Sequence, residues 1–297
     1  MTEAMKGVGI LEVAEQTFMP AASALLADLG AEVIKIEPIE RGDAMRGLGS
    51  SGIAVVPKDV HVLLHHSNRG KKSLALDLTT EEGLDILHKL EATADVFLTN
   101  KPPKVRTKLH IDVDDIKAHN PDIIYVRGTG QGERGPDADK ASYDSLSFWA
   151  RSGVAAGVTQ PDSGFVTPPP GPGFGDSIGA MAIAGGIAMD LFHRERTGES
   201  PVTDVSLLSS AMWAMGQTIG LSLLTGVGWP PGVGIKSNPL SGSSRTRDGH
   251  WLTLSCLQPG RYWPLFYDAT GHPGLASNAR FCDHGPSWRT ARRRSPW

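Results

Sequence analysis

Cysteine is almost absent: the 297 residues hold two, Cys256 and Cys282, and no CxxC pair. That excludes a disulfide-stapled scaffold and a closed cysteine zinc site, and with no leading apolar segment it points to a reducing, cytoplasmic setting. No run of eighteen uncharged apolar residues occurs, so no membrane span is expected. Charge of one sign is also missing. The 29 Lys and Arg face 32 Asp and Glu, a net −3, which leaves no global field to gather nucleic acid. Ten histidines show neither HExxH nor His-x-His spacing, so no metal site is expected. A serine hydrolase is not expected either, and without a fixed-period repeat neither is a solenoid.

Glycine (35) and proline (21) make up about a fifth of the chain, yet hydrophobic content of 40% is too high for disorder. The reading is a globular protein of one large domain or two, rich in tight turns. Apolar periodicity predicts a strand over 7–14, a small-residue helix over 21–30 after a loop holding Pro20, and an alternating strand over 31–37. The pattern repeats with strands at 73–78, 95–99 and 122–128 and helices at 81–93 and 112–120. Strands alternating with helices predict an α/β, parallel-sheet, Rossmann-like large domain. A long small-residue helix over 177–196, a strand at 201–207 and a helix over 208–224 close it. The expected division is 1–226 for this domain, a Gly/Pro/Ser linker at 227–244, and a second, smaller domain at 245–297 ending in an irregular basic tail. In that last part a strand at 251–256 and a helix at 261–270 are expected.

Several features bear on chemistry. In Gly171-Pro-Gly-Phe-Gly-Asp176 a carboxylate ends a glycine loop where the long helix begins. An Asp at the N-cap accepts amide hydrogen bonds and feels the positive helix end, which favours its anion as a nucleophile; its plainest role is a cap. The cations of Ser67-Asn-Arg-Gly-Lys-Lys72, with Lys101, Lys104, Arg106 and Lys108, suit phosphate on loops after strands, or else are solvated charges. Gly130, Gly132 and Gly135 satisfy GxGxxG, but the loop runs into Pro136 rather than a helix, against a nicotinamide cofactor. His65 and His66 are expected on opposite sides of an extended segment.

The succession KGVGILEVAEQTFMPAASALLADLGAEVIKIEP, SNRGKKSLALDLTT, ADVFLTNKPP, GERGPDADKASYD and FGDSIGAMAIAGGIAMDLFHRERTGESPVTDVSL resembles the class III CoA-transferase family, which includes formyl-CoA transferase, carnitine CoA-transferase and α-methylacyl-CoA racemase. The resemblance is most specific around Asp176 and Arg194-Glu-Arg-Thr-Gly198. It implies a CoA thioester substrate, a carboxylic acid acceptor, no tightly bound cofactor, and Asp176 as a covalent nucleophile passing through an anhydride and an aspartyl-CoA thioester. CoA-binding positions carry over as Gln16, Thr17, Leu76, Asp77, Leu78, Thr79, Asn100, Lys101, Pro102, Lys108, Leu109, Ala141, Ser142, Tyr143 and Asp144. Where the family often has a phosphate-pairing arginine this chain has Pro38, so Lys71, Lys72 and Lys108 are expected to hold phosphate. The racemase branch places a histidine where Tyr143 stands, and a phenol ionising near about 10 is a poor base, so transfer is expected over racemisation. The family's dimers interlock, which implies a homodimer. Its chains are longer, so the resemblance also leads one to expect a truncated small domain, low solubility and, as an alternative, an inactive CoA-binding relic.

Overall fold

The computed structural model describes residues 3–51, 61–228, 238 and 240–278. Among them six strands, β1 (Gly9–Val13), β2 (Glu32–Glu37), β3 (Lys72–Ala75), β4 (Val96–Thr99), β5 (Ile124–Thr129) and β6 (Val202–Ser206), form a parallel sheet in the order β3-β2-β1-β4-β5-β6. Helices α1 (Phe18–Asp28), α2 (Val62–Asn68), α3 (Glu81–Glu91), α4 (Pro103–Lys108), α5 (Val113–His119), α6 (Val154–Val158), α7 (Phe174–Thr197), α8 (Leu207–Ala214) and α9 (Gly216–Thr225) complete the unit Met1–Trp229.

The central strands read as near-continuous apolar runs because both faces are covered. Alternate residues serve opposite cores. Ile10, Val96, Leu98, Ile124 and Val126 pack with Phe18, Met19, Ile183 and Ile187 of α1 and α7. Leu11, Phe97 and Tyr125 pack on the other side with Leu87 of α3 and Ile116 of α5. The expected parallel α/β architecture is therefore present, with strand bounds shifted by a few residues.

Three elements differ from expectation. The helix predicted over 208–224 is two, α8 and α9, bent by 69° at Met215. His65 and His66 lie on α2 rather than on an extended segment. α7 is, by length and composition, apolar enough to cross a bilayer, which counting uncharged residues did not anticipate. Its stripe Gly179, Ala180, Ile183 and Ile187 is instead buried in the layered core. Its C-terminus follows the sequence reading, with Gly198 at φ 75° in the left-handed cap geometry that glycine adopts without strain.

The second unit, Pro230–Trp297, holds a hairpin of β7 (Ser241–Arg245) and β8 (Trp251–Ser255), then α10 (Pro259–Ala269), where Trp263 stacks on Tyr267. β7 begins inside the span expected to be linker. Most of that linker, Cys282 and the basic tail lie outside the described residues.

Candidate active site

The strand order reverses between β1 and β4, the position at which open α/β sheets leave a crevice beyond the strands' carboxyl ends. Loops leaving β1, β4 and β5 meet there around a cavity of about 400 Å³ lined by Glu15, Gln16, Phe18, Asn100 to Pro103, Gly128 to Gly130, Ala138 to Tyr143 and Asp176. A second cavity of about 450 Å³ is lined by Ile36 to Arg41, Leu76 to Thr79 and Leu109. Arg41 and Lys101 line both, so two cations stand where the cavities join. Between them lies the Glu15 carboxylate, 2.8 Å from Arg41 and 2.9 Å from Lys101.

The loop after β1 is held in a defined shape. Asn100 accepts the Glu15 N–H at 3.0 Å and donates to the Glu15 carbonyl at 2.7 Å. Gln16 has φ 72°, a left-handed conformation that is costly for a side chain with a Cβ and that concentrates at functional sites.

Asp176 stands in the first turn of α7, but it is not the N-cap. Gly173, at φ 65°, holds that position, so the expected stabilisation of the Asp176 anion by capping is corrected. The amides are taken by another carboxylate: both oxygens of Asp144 accept the Gly175 N–H at 3.1 Å. Gly175 is required for that approach, because a Cβ there would lie 2.2 Å from Asp144 Oδ1 and 2.2 Å from Phe148 Cγ. Burial raises the Asp144 pKa, against the backbone N–H groups that lower it. For Asp176 burial, reinforced by the Asp144 charge, pushes the pKa from 3.8 up to about 7. A carboxyl raised this far is poised to change protonation near neutrality, and its anion is more basic than an ordinary carboxylate, which suits a nucleophile or a proton carrier.

Of the residues singled out in the sequence, Gln16, Asn100, Lys101, Pro102, Ala141, Ser142, Tyr143 and Asp176 line the first cavity, and Leu76, Asp77, Leu78, Thr79 and Leu109 the second. Thr17 is buried, its methyl 3.3 Å from where a Cβ on Gly173 would be. Three lysines are placed differently from expectation. Lys71 is 2% exposed and ion-paired to Glu12 at 2.7 Å, which closes it off from a phosphate. Lys72 opens β3 at the amino end of the sheet, paired with Glu32 at 3.1 Å. Lys108 is exposed on α4 and lines neither cavity.

Sequence reasoning missed Arg41, although Pro38 to Gly42 follows β2 at its carboxyl end, where ligands of such sheets bind. It missed the Asp144 cap as well. Gly175 to Gly179 also spells GxSxG, yet Ser177 lies within a regular helix and donates to the Gly173 carbonyl at 2.8 Å, unlike a nucleophile on a strand-to-helix elbow. Arg194, in the other family-specific segment, bonds Asp95 at 2.6 Å and the Asp122 carbonyl at 3.1 Å; it ties α7 to the amino ends of β4 and β5. Among the described residues no group of three or more His, Cys, Asp or Glu is placed to hold a metal.

The family model for CoA-transferase family III matches residues 5–294. The chain is 33% identical over 277 residues to (R)-2-hydroxy-4-methylpentanoate CoA-transferase of Clostridioides difficile, covering 93% of this chain and 68% of that one. It is 33% identical over 286 residues to cinnamoyl-CoA:phenyllactate CoA-transferase of Clostridium sporogenes, covering 94% and 68%. Among solved structures it resembles a CAIB/BAIF family protein from Brucella suis with a TM-score of 0.81 at 28% identity, over 99% of this chain and 76% of that one. A sheet crevice holding a carboxylate of raised pKa, a match across nearly the whole chain and relatives that are transferases agree: the chain belongs to CoA-transferase family III and is a CoA-transferase.

Proposed function

We propose that the protein moves CoA from an acyl-CoA to a 2-hydroxy carboxylic acid through covalent intermediates on Asp176. The observation that carries this reading is the position of Asp176, with its pKa of about 7, in the cavity that shares Arg41 and Lys101 with its neighbour. The nucleotide half of CoA would occupy the cavity of Leu76 to Thr79, its phosphates would meet Arg41 and Lys101, and the pantetheine arm would lead to Asp176. The acceptor class is suggested by the two relatives, whose names specify 2-hydroxy-4-methylpentanoate and phenyllactate.

In the proposed sequence, an Asp176 carboxylate oxygen attacks the acyl carbonyl, the carbon–sulfur bond breaks and CoA thiolate leaves, giving a mixed anhydride. The thiolate then attacks the Asp176 carbonyl and expels the acyl carboxylate, leaving an aspartyl-CoA thioester. The acceptor carboxylate attacks that thioester to form a second anhydride and free thiolate, and the thiolate takes the acceptor acyl group, regenerating Asp176. Each step needs the Asp176 side chain unprotonated at its start or acylated thereafter, so turnover rises with pH through about 7.

Met181, Met189, Phe192, Trp213, Leu223 and Leu224 on α7, α8 and α9 are exposed; such a surface supports a homodimer, and the free thiol of Cys256 suits a cytoplasmic setting. The test is a panel of cinnamoyl-CoA with phenyllactate or 2-hydroxy-4-methylpentanoate, followed by hydroxylamine trapping and mass mapping. Label on Asp176, absent in Asp176→Ala, is expected. Transfer that persists in Asp176→Ala would refute the covalent reading.

A further inference from the structure

The loop that carries Gln16 into the cavity is backed by a charged assembly that the reaction does not consume. Asp43, wholly buried, accepts the Gln16 N–H at 3.1 Å and the Met45 N–H at 2.9 Å through Oδ1, while its Oδ2 lies 2.8 Å from the Lys35 ammonium. Lys35, 2% exposed, also reaches Glu12 at 2.6 Å and the Ala14 carbonyl at 2.7 Å. Glu12 and Lys35 stand opposite one another in the β1–β2 register, and Glu12 in turn takes Lys71. The two carboxylates and two ammonium groups cancel in charge. An apolar set of the same volume would serve packing alone at least as well, because desolvating ions opposes what their attraction contributes.

What the assembly does locally is hold an unfavourable backbone. Gln16 keeps φ 72° and lines the same cavity as Asp176, and a residue with a Cβ persists in that conformation only when its surroundings over-determine it. Two groups do so: Asn100 fixes the preceding residue by its paired bonds to Glu15, and Asp43 takes the N–H of Gln16 itself. Lysine only donates, so Lys35 occupies Oδ2 and leaves Oδ1 turned to the backbone. A charged acceptor also holds an N–H more strongly than a neutral one.

We infer that Asp43, oriented by its ion pair with Lys35, is a positioning residue for transfer: it locks the Gln16 backbone so that the Gln16 side chain stays on the Asp176 cavity. The inference rests on the reading of that cavity as the reaction site. It predicts that Asp43 acts through Gln16 and has no separate effect on the chemistry.

A crystal structure of Asp43→Ala reads the geometry directly. Gln16 is expected to relax to negative φ; retention of its left-handed conformation overturns the inference. In kinetics, with whichever acceptor of the panel is turned over faster, Asp43→Ala and Gln16→Ala should each lower kcat/KM by on the order of 10²-fold, the scale of a small misplacement of a reacting group. The double variant should be no more than about twofold worse than Gln16→Ala alone, because neighbours acting as one unit are non-additive. Multiplying losses indicate a general structural effect and overturn it. Should Asp43→Ala fail to fold, Asp43→Asn carries the test: its single acceptor cannot serve both Lys35 and the Gln16 N–H, so Gln16 should leave positive φ and kcat/KM should fall as in Gln16→Ala, and wild-type kcat/KM with Gln16 still at positive φ counts against the inference. Activity surviving in Asp176→Ala defeats the underlying reading of the site, whereas an inactive Asp176→Ala with an additive Asp43–Gln16 pair defeats this inference alone.

Discussion

Replacing Asp176 by Asn should abolish transfer and, at the same time, stabilise the fold in alkaline solution. The carboxyl ionises at 3.8 when exposed and at about 7 in the folded protein. Between those values the folded state holds a proton that the unfolded chain has lost, so stability falls as pH rises through this window and levels off above it. One pKa unit is about 1.4 kcal/mol, so the full cost of carrying the anion in the cavity is about 4 kcal/mol, of which about 3 kcal/mol develops between pH 5 and pH 8. Asparagine has nearly the same shape and no charge to desolvate. Thermal melts of both proteins from pH 5 to pH 8 should therefore show Asp176→Asn gaining on the wild type by about 5–10 °C across that range, at a few degrees per kcal/mol for a chain of this size. A gap that stays constant or closes with rising pH would mean that the wild-type anion is not destabilised by its surroundings, and the account of its reactivity would fall with it.

Other outcomes follow from neighbouring contacts. Gly175→Ala places a methyl 2.2 Å from Asp144 Oδ1 and from Phe148 Cγ; urea unfolding should show a loss of about 1–3 kcal/mol from overpacking, and an unchanged midpoint would contradict the close approach. Glu12→Gln leaves the buried Lys35 and Lys71 without their shared carboxylate and should cost about 3 kcal/mol or more in the same experiment, whereas wild-type stability would show that the ammonium groups find other partners. Glu15→Gln removes the carboxylate lying between Arg41 and Lys101; calorimetry should give several-fold tighter CoA binding at low salt, with the advantage shrinking as salt is added, and weaker binding would show that Glu15 orients the cations rather than competing for them.

The parts of the fold visible in the sequence are those set by local periodicity. β1, β4 and β5 are dominated by Val, Ile, Leu, Phe and Tyr, β2 alternates apolar with charged residues, and α7 is marked by a glycine loop before it and Gly198 after it. Asp176 was legible for the same reason, standing at the junction of loop and helix. Its electrostatics were not, because the group that takes the first-turn amides, Asp144, is distant in the chain and reaches them only through tertiary packing. The lysines illustrate the converse. Lys71 and Lys72 are adjacent in sequence, yet one points into a buried ion cluster and the other into solvent beside Glu32, as alternation along an extended chain dictates. Arg41 escaped notice because its value lies in being shared by two cavities, a property of how loops from three strands converge.

The shared wall of the two cavities has a kinetic consequence. In the proposed reaction, a CoA spanning both would be anchored by its nucleotide end while the sulfur is chemically free, during the interval in which Asp176 is an anhydride. The thiolate is then a tethered reactant, and its effective concentration at the aspartyl carbonyl is set by the length of the pantetheine arm rather than by the amount of CoA in solution. Water competes for the same anhydride carbonyl. On this geometry the nucleotide, which takes no part in bond making, determines how often the intermediate is recaptured and how often it is lost to hydrolysis.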